Sequence, residues 1–383
     1  MRIQLTRKQG TELLFLLGLS IVWFLIGWTV RGRFPPTDAA LIEQARQGMR
    51  DNYKGDLPTN REMTYAAIRG MVHSLGDPHA AFLDPAVSQR VVDDFNGRSG
   101  IIGLFPEWEN GQWVVSVVLP GGAAEQAGLK EGDVILSVDG IPFTGDTTAV
   151  EASLLIRGPV GVPAQFVVQR GEERLTFSPI RQVREVTSAP QMLAGNIGYF
   201  AQYTFTSNAP RAVKAVLQTL LAQNPSGIIW DLRSNGGGSM DAAQEILSYF
   251  LDNGLLFLAE LQGGEQRRFM AQGDSLAPST PLIVLTGERT YSAAETAASS
   301  IAERGRGVLI GGVTHGKGTI QATLPLVEDT MLQLTIAHWL SPSGAWYEGR
   351  GVSPQIPVTD DPDTEVDEVL QAAVNYLQEK ATP

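Results

Sequence analysis

The 383-residue sequence predicts an α/β core that carries an inserted, mostly β domain and follows an N-terminal transmembrane helix. Three observations lead there. Residues 13–30, LLFLLGLSIVWFLIGWTV, are an uncharged run of 18 residues, enough to span a bilayer as a helix. From about Gly97 to Gln182, short β-type runs alternate with glycine turns. Beyond that, strand-like and helix-like segments alternate almost to the C-terminus, as in an α/β protein.

The apolar run has Trp23 and Trp28 as interfacial anchors. Arg2, Arg7 and Lys8 precede it and Arg31 and Arg33 follow, a bias that puts residues 1–34 in the cytoplasm and membrane and everything later outside, in a periplasm or at the cell exterior. A cleaved signal peptide is the alternative; the run is long for one, and RGRFPP supplies no A-x-A-like cleavage site. Residues 35–96 form a helical segment: Leu41, Ile42, Ala45 and Met49 recur at helical spacing, as do Met63, Ala67, Ile68, Met71 and Leu75. The loop LGDPHAAFLDP closes it.

Composition removes several classes of function. A net charge of -12 would repel a phosphate backbone and no basic stripe is present, so nucleic acid is not a partner. Without cysteine there are no disulfides, thiolate sites or cysteine nucleophiles. His73, His79, His315 and His338 lack ligand spacing, so no metal is expected and each is assigned a structural place.

The insert, residues 97–183, contains the runs WVVSVVL, DVILSV and AQFVVQR. Within it, PGGAAEQAGLKEGDVILSVDGIPF (Pro120 to Phe143) resembles the most recognisable part of a PDZ domain. That resemblance implies a site in which an extended peptide joins a sheet edge while backbone N–H groups take its C-terminal carboxylate. SGIIGLF occupies the position of the carboxylate loop, which makes Gly100, Ile101, Ile102 and Gly103 the candidate contacts.

In the core, residues 184–383, the strands IGYFAQY, GIIWDLR, PLIVLT and GVLIGG alternate with helices: one carrying Val213, Val216, Leu217 and Leu220, one from about Met240 to Leu251, and one from about Ala293 to Glu303. Three patches follow predicted strands: WDLRSNGGGSM, LTGERTYSAAE and GGVTHGKGTIQ. The last contains a G-x-x-x-x-G-K frame, but Gly318 stands where a phosphate loop needs Ser or Thr for Mg²⁺. Together, and with GMVHSLGDPHAAFLDP before the insert and LTIAHWLSPSGAWYEGRGVSP near the end, they resemble the carboxyl-terminal processing proteases: tail-specific serine endopeptidases with a Ser/Lys dyad and an embedded PDZ domain. The resemblance implies a ClpP/crotonase-like α/β core of mixed sheet and helices. It implies Ser292 as nucleophile, Lys317 as base and Gln321 as its partner, and an oxyanion hole with one donor from Gly238, Gly237 being the fallback. It implies Arg157 as the link between ligand binding in the PDZ domain and the active site. No cofactor is called for.

The residue types suit that chemistry. A serine hydroxyl needs a base, and lysine serves as one when burial lowers its pKa; Lys317 has Val308, Ile310, Val313 and Ile320 as sequence neighbours, which predicts apolar, uncharged company. Gln321, four residues on, lies on the same face if the segment is extended and can orient the amine without adding charge. Ser292 and Ala293 precede the helix-forming AAETAASSIAERG, so the Ala293 N–H is expected at a helix N-terminus, where an oxyanion is favoured. Glu295 is assigned a capping role only. A Ser-His-Asp arrangement with His315 and Asp231 and a catalytically silent tail-binding scaffold are the competing readings. Acidic residues from Asp360 to Glu368 lead into an amphipathic helix, Val366 to Leu377, which offers a face for a partner subunit in a homo-oligomer.

Overall fold

The structure is a computed structural model that describes residues 38–95, 98–119, 121–183, 185–273, 275–361, 364 and 366–381. Among them no helix is long and apolar enough to cross a membrane; the Leu13–Val30 run lies outside the described residues. The chain divides into two units, residues 1–68 and 69–383. In the first, helix α1 (Asp38–Asn52) has no buried residue, and Leu41, Ile42 and Met49 stand exposed, so the amphipathic face read from its spacing is left open. Helix α2 (Asn60–His73) crosses the division.

The second unit opens with strand β1 (Ala81–Leu83) and helix α3 (Pro85–Phe95), which the Asp84 carboxylate caps by accepting from the N–H groups of Ala86 and Val87 at 3.1 Å. The insert then begins: β2 (Ser99–Ile101), β3 (Leu104–Glu109), β4 (Gln112–Val118), helix α4 (Ala123–Ala127), β5 (Val134–Val138), β6 (Ile141–Pro142), helix α5 (Ala149–Ile156), β7 (Gly158–Pro159), β8 (Phe166–Arg170), β9 (Glu173–Phe177) and β10 (Gln182–Val183). Its main sheet runs β3-β4-β5-β8-β9, with β3 at an edge beside α5. A small second sheet, β10-β2-β7, pairs the strand that enters the insert with the one that leaves it. Leu104, Trp113, Ile135, Phe166 and Leu155 share the insert's core.

The core continues with β11 (Gln191–Leu193), β12 (Ile197–Ala201), α6 (Ala209–Leu221), β13 (Gly227–Asp231), α7 (Met240–Ser248), β14 (Leu255–Leu261), β15 (Gln266–Met270), β16 (Leu282–Thr286), α8 (Ala293–Glu303), β17 (Val308–Gly311), β18 (Thr319–Pro325), β19 (Met331–Leu340), β20 (Ile356–Pro357) and α9 (Glu368–Ala381). The sheet β11-β12-β13-β16-β17-β20 is parallel except for β11. Both faces are covered, so its central strands are buried throughout rather than alternating. Ile228, Trp230, Val284 and Leu309 point to the core under α6, α7 and α8; Ile229, Ile283, Leu285 and Ile310 point to α9, against Val369, Ala373 and Leu377. An antiparallel sheet, β1-β19-β14-β15 with β18 beside β19, adds a layer that the strand–helix alternation did not foretell.

Candidate active site

Three adjacent parallel strands, β13, β16 and β17, end in the three glycine-rich or small-residue patches, at the carboxyl edge where sites in such sheets form. After β13, Asn235 is fully buried; its amide donates to Gln202 O at 2.9 Å, and its side-chain oxygen accepts from Gly237 N at 2.9 Å. That leaves Gly237, the fallback oxyanion donor, with its N–H spent. Gly238 bridges Phe205, but the ladder uses Gly237 O and Ser239 N, accepting from Phe205 N at 2.9 Å and donating to Phe205 O at 2.8 Å. In such a parallel bridge the Gly238 N–H faces the other way. A Cβ on Gly237 would fall 2.6 Å from Tyr291 O and 2.9 Å from Ser292 Cβ, which measures how tightly this loop lies against the serine.

After β16, Ser292 caps α8 with φ 55° and ψ -117°, a region that side chains avoid. Ala293, fully buried, begins the helix behind it. Glu295, also fully buried, accepts from Ser292 N at 2.8 Å, Thr314 Oγ1 at 2.6 Å, Gly316 N at 2.6 Å and Lys317 N at 2.9 Å. Burial pushes its carboxyl pKa up, against the pull of those donors. Its cap assignment stands, but the residue does more: it ties the start of α8 to the lysine loop.

Lys317 is half-buried, with its carbonyl accepting from Trp339 Nε1 at 2.6 Å and its ammonium 5.2 Å from the Tyr291 ring centre. Burial lowers its pKa to about 8, while Glu348, Glu295 and Asp77 pull the other way. The expectation of uncharged, apolar company is therefore corrected. Ile310 and Val308 belong to the opposite face of the sheet under α9 and Val313 is exposed; only Ile320 lines the cleft. Gly318 is glycine because a Cβ would strike the Trp346 indole and approach Glu348 N at 2.9 Å.

Ser292, Lys317, Gln321, Gly237, Gly238 and Arg157 line one cleft of about 710 Å³. No direct hydrogen bond joins Ser292 to Lys317 among the described residues. Gln321 does not bond Lys317 either: its amide donates to Thr319 at 3.0 Å and Thr335 at 3.1 Å. The even-spacing argument is corrected here, because Lys317 precedes the strand and a register shift falls between Ile320 and Gln321.

The insert contributes Ala149, Val150, Ser153, Leu154 and Arg157 of α5 and its C-terminus to the same cleft. Arg157 forms an ion pair with Asp94 of α3. Gly100 and Ile101 are committed to the ladder, opposite Val183, Gly158 and Gln182. The Ile102 and Gly103 carbonyls accept from Ala124 N and Leu119 N at 2.8 Å, leaving these two residues as the turn into β3. His315 is exposed and packs at a tilt against Tyr291, and Asp231 is held by Arg233 and Tyr199, so the rival triad is not assembled. His79, assigned only a structural place by sequence, lines the cleft near Lys317, whose charge adds to burial in lowering the imidazole pKa. Its position in LGDPHAAF gave no periodic signal that would have found it. Among the described residues no acidic or histidine cluster suited to a metal occurs.

The peptidase family S41 model matches residues 196–358, and the PDZ domain model matches residues 114–170. Carboxyl-terminal-processing peptidase 2, chloroplastic, of Arabidopsis thaliana is 31% identical over 84% of this chain and 66% of its own length. The C-terminal processing peptidase, chloroplastic, of Tetradesmus obliquus is 30% identical over 83% of this chain and 74% of its own. The solved photosystem II D1 C-terminal processing protease superposes with a TM-score of 0.66 at 28% identity, covering 94% of this chain and 98% of that one.

Proposed function

The chain belongs to the carboxyl-terminal processing peptidases of family S41, which makes it a serine-type peptidase, and we propose that Ser292 is its nucleophile and Lys317 its general base. The observation that carries this is the shared cleft, lined both by a strained serine at a helix N-terminus and by a lysine whose pKa burial brings down to about 8. Neutral Lys317 takes the Ser292 proton as the hydroxyl oxygen bonds to the scissile carbonyl carbon. The oxyanion is held by the N–H groups of Gly238 and Ala293. Lys317 passes the proton to the departing amine as the C–N bond breaks, then activates the water that hydrolyses the acyl-enzyme. Gln321 reaches the amine only once substrate draws the cleft together, since contacts loose in an empty site tighten in the complex.

The substrate is a protein tail. An extended C-terminal peptide adds to the free edge of β3 beside α5, with its carboxylate at the Ile102–Gly103 turn. Because α5 lines the cleft that holds Ser292, a seated tail presents the chain just before it to the nucleophile. The Leu13–Val30 run anchors the enzyme, with the catalytic part outside the cytoplasm.

The deciding experiment is a pH–rate profile with tail-bearing peptides. Wild-type kcat/KM should climb through about pH 8, as the free lysine loses its proton. Ser292→Ala and Lys317→Ala should each lose roughly a thousandfold or more. Turnover surviving in Ser292→Ala, or abolished by His315→Ala but not by Lys317→Ala, would sink the dyad.

A further inference from the structure

The insert joins the core through two segments, α3 before it and its own last residues, Arg181 to Val183, and each sends an arginine to the same place. Arg90 of α3 donates through one terminal nitrogen to the carbonyls of Leu155 and Arg157, both at 2.6 Å. Arg181, only 2% exposed, donates to Ile156 O at 3.0 Å and Pro163 O at 3.1 Å. Asp139 lies between the two cations, 2.6 Å from Arg181 and 3.5 Å from Arg90. Leu155, Ile156 and Arg157 end α5, where carbonyls lack helical partners and cations are favoured. The glycines nearby serve the same knot: a Cβ on Gly100 or Gly158 would lie 2.9 Å from Arg181.

Arg157 is gripped twice by α3. Arg90 holds its carbonyl, and Asp94, one turn on, pairs with its guanidinium in the catalytic cleft. The two grips differ in kind. The Asp94 pair, about a quarter exposed on both sides, reaches Arg157 through its side chain alone and leaves the backbone unfixed. Arg90 satisfies two carbonyls at once and is backed by Asp139, so it fixes the backbone from which the guanidinium reaches out.

We propose that Arg90 is a positioning residue for proteolysis: it locks the end of α5 to the helix that leaves the core, so that a tail seated along α5 sets where Arg157 stands in the cleft. The inference rests on the tail-binding reading above.

The test uses the full chain and a fluorogenic peptide ending in Ala-Leu-Val with a free carboxylate, beside its C-terminally amidated form. Arg90→Lys keeps the charge, but its single nitrogen ends one bond short of Nη1 and cannot serve the two carbonyls and Asp139 together. It should lower kcat about tenfold while KM, and the peptide's Kd by fluorescence anisotropy, stay within about twofold. In an Arg157→Ala background the same substitution should change nothing further. A folded Arg90→Lys enzyme with wild-type kcat overturns the proposal, as does a loss that multiplies with that of Arg157→Ala. If Arg90→Lys does not fold, Asp139→Asn weakens the knot from its other side and is held to the same outcomes. Equal wild-type affinity for the free and amidated peptides removes the tail reading itself, a result distinct from an unimpaired Arg90 variant.

Discussion

Ser292 stands where a side chain is costly, on the order of 1–3 kcal/mol for such a backbone. Glycine bears that geometry freely, so Ser292→Gly should melt a few degrees above Ser292→Ala by calorimetry, with both inactive. Gly237→Ala should lose roughly a hundredfold or more in kcat, because its Cβ enters the space of Tyr291 O and Ser292 Cβ at a φ of 82°. Lys317 links stability to pH. Its folded pKa of about 8 lies below the ordinary 10.5, so between those values the unfolded chain binds the extra proton and stability rises with pH. Lys317→Met should therefore raise Tm at pH 7, with the advantage shrinking as pH climbs through that window. That Ser292, Lys317 and Gly238 would come to one cleft was legible because each sits in a short local pattern after a strand. Asn235 as a loop support and Glu295 as a four-donor anchor were not, since their roles are written in partners tens of residues away.

Among the elements, α5 shows most directly how local sequence serves the site. Thr148 and Glu151 close a capping box at its start: Thr148 Oγ1 accepts from Glu151 N at 3.2 Å, and the Glu151 carboxylate accepts from Thr148 N at 2.9 Å. Thr148→Ala should cost about 1 kcal/mol by chemical denaturation and weaken tail-peptide binding, because the frayed turn begins at Ala149 on the cleft wall. Helix α8 matched its predicted span, Ala293 to Glu303, because its start carries a cap and its end a glycine. The last helix begins later than its apolar spacing suggested, at Glu368, where the Asp367 carboxylate caps the Leu370 N–H. The β18–β19 hairpin stayed hidden for a different reason. Its strand β19 owes its place to pairing with β14 and β1, partners that no short window of sequence contains, and β18 follows by pairing with β19.

At the scale of the whole molecule, the C-terminal segment reaches back to the catalytic loops. Arg233, two residues before Asn235, pairs with Asp231 at 2.8 Å and with Asp367 at 2.7 Å. Burial raises the Asp367 pKa, but Arg233 and the Leu370 N–H outweigh it and hold the carboxyl below its ordinary 3.8. The stability from this pair is therefore present above that value and lost as pH falls through the folded pKa. Asp367→Asn should flatten the acid limb of a Tm–pH curve below about pH 4 and lower Tm at neutral pH. The broad architecture was readable because alternation of strand and helix and a change of texture are properties of long stretches. How the insert meets the core was not, because the meeting depends on single arginines.

That meeting bears on exchange. The insert leaves and returns through neighbouring antiparallel strands, Ser99–Ile101 beside Gln182–Val183. A module whose two ends lie in one ladder, roughly 5 Å apart, is a cassette: another of equal end spacing can be spliced in without new linkers. The insert is thus separable from the chemistry of the core, on condition that the newcomer offers carbonyls where Arg90 expects them.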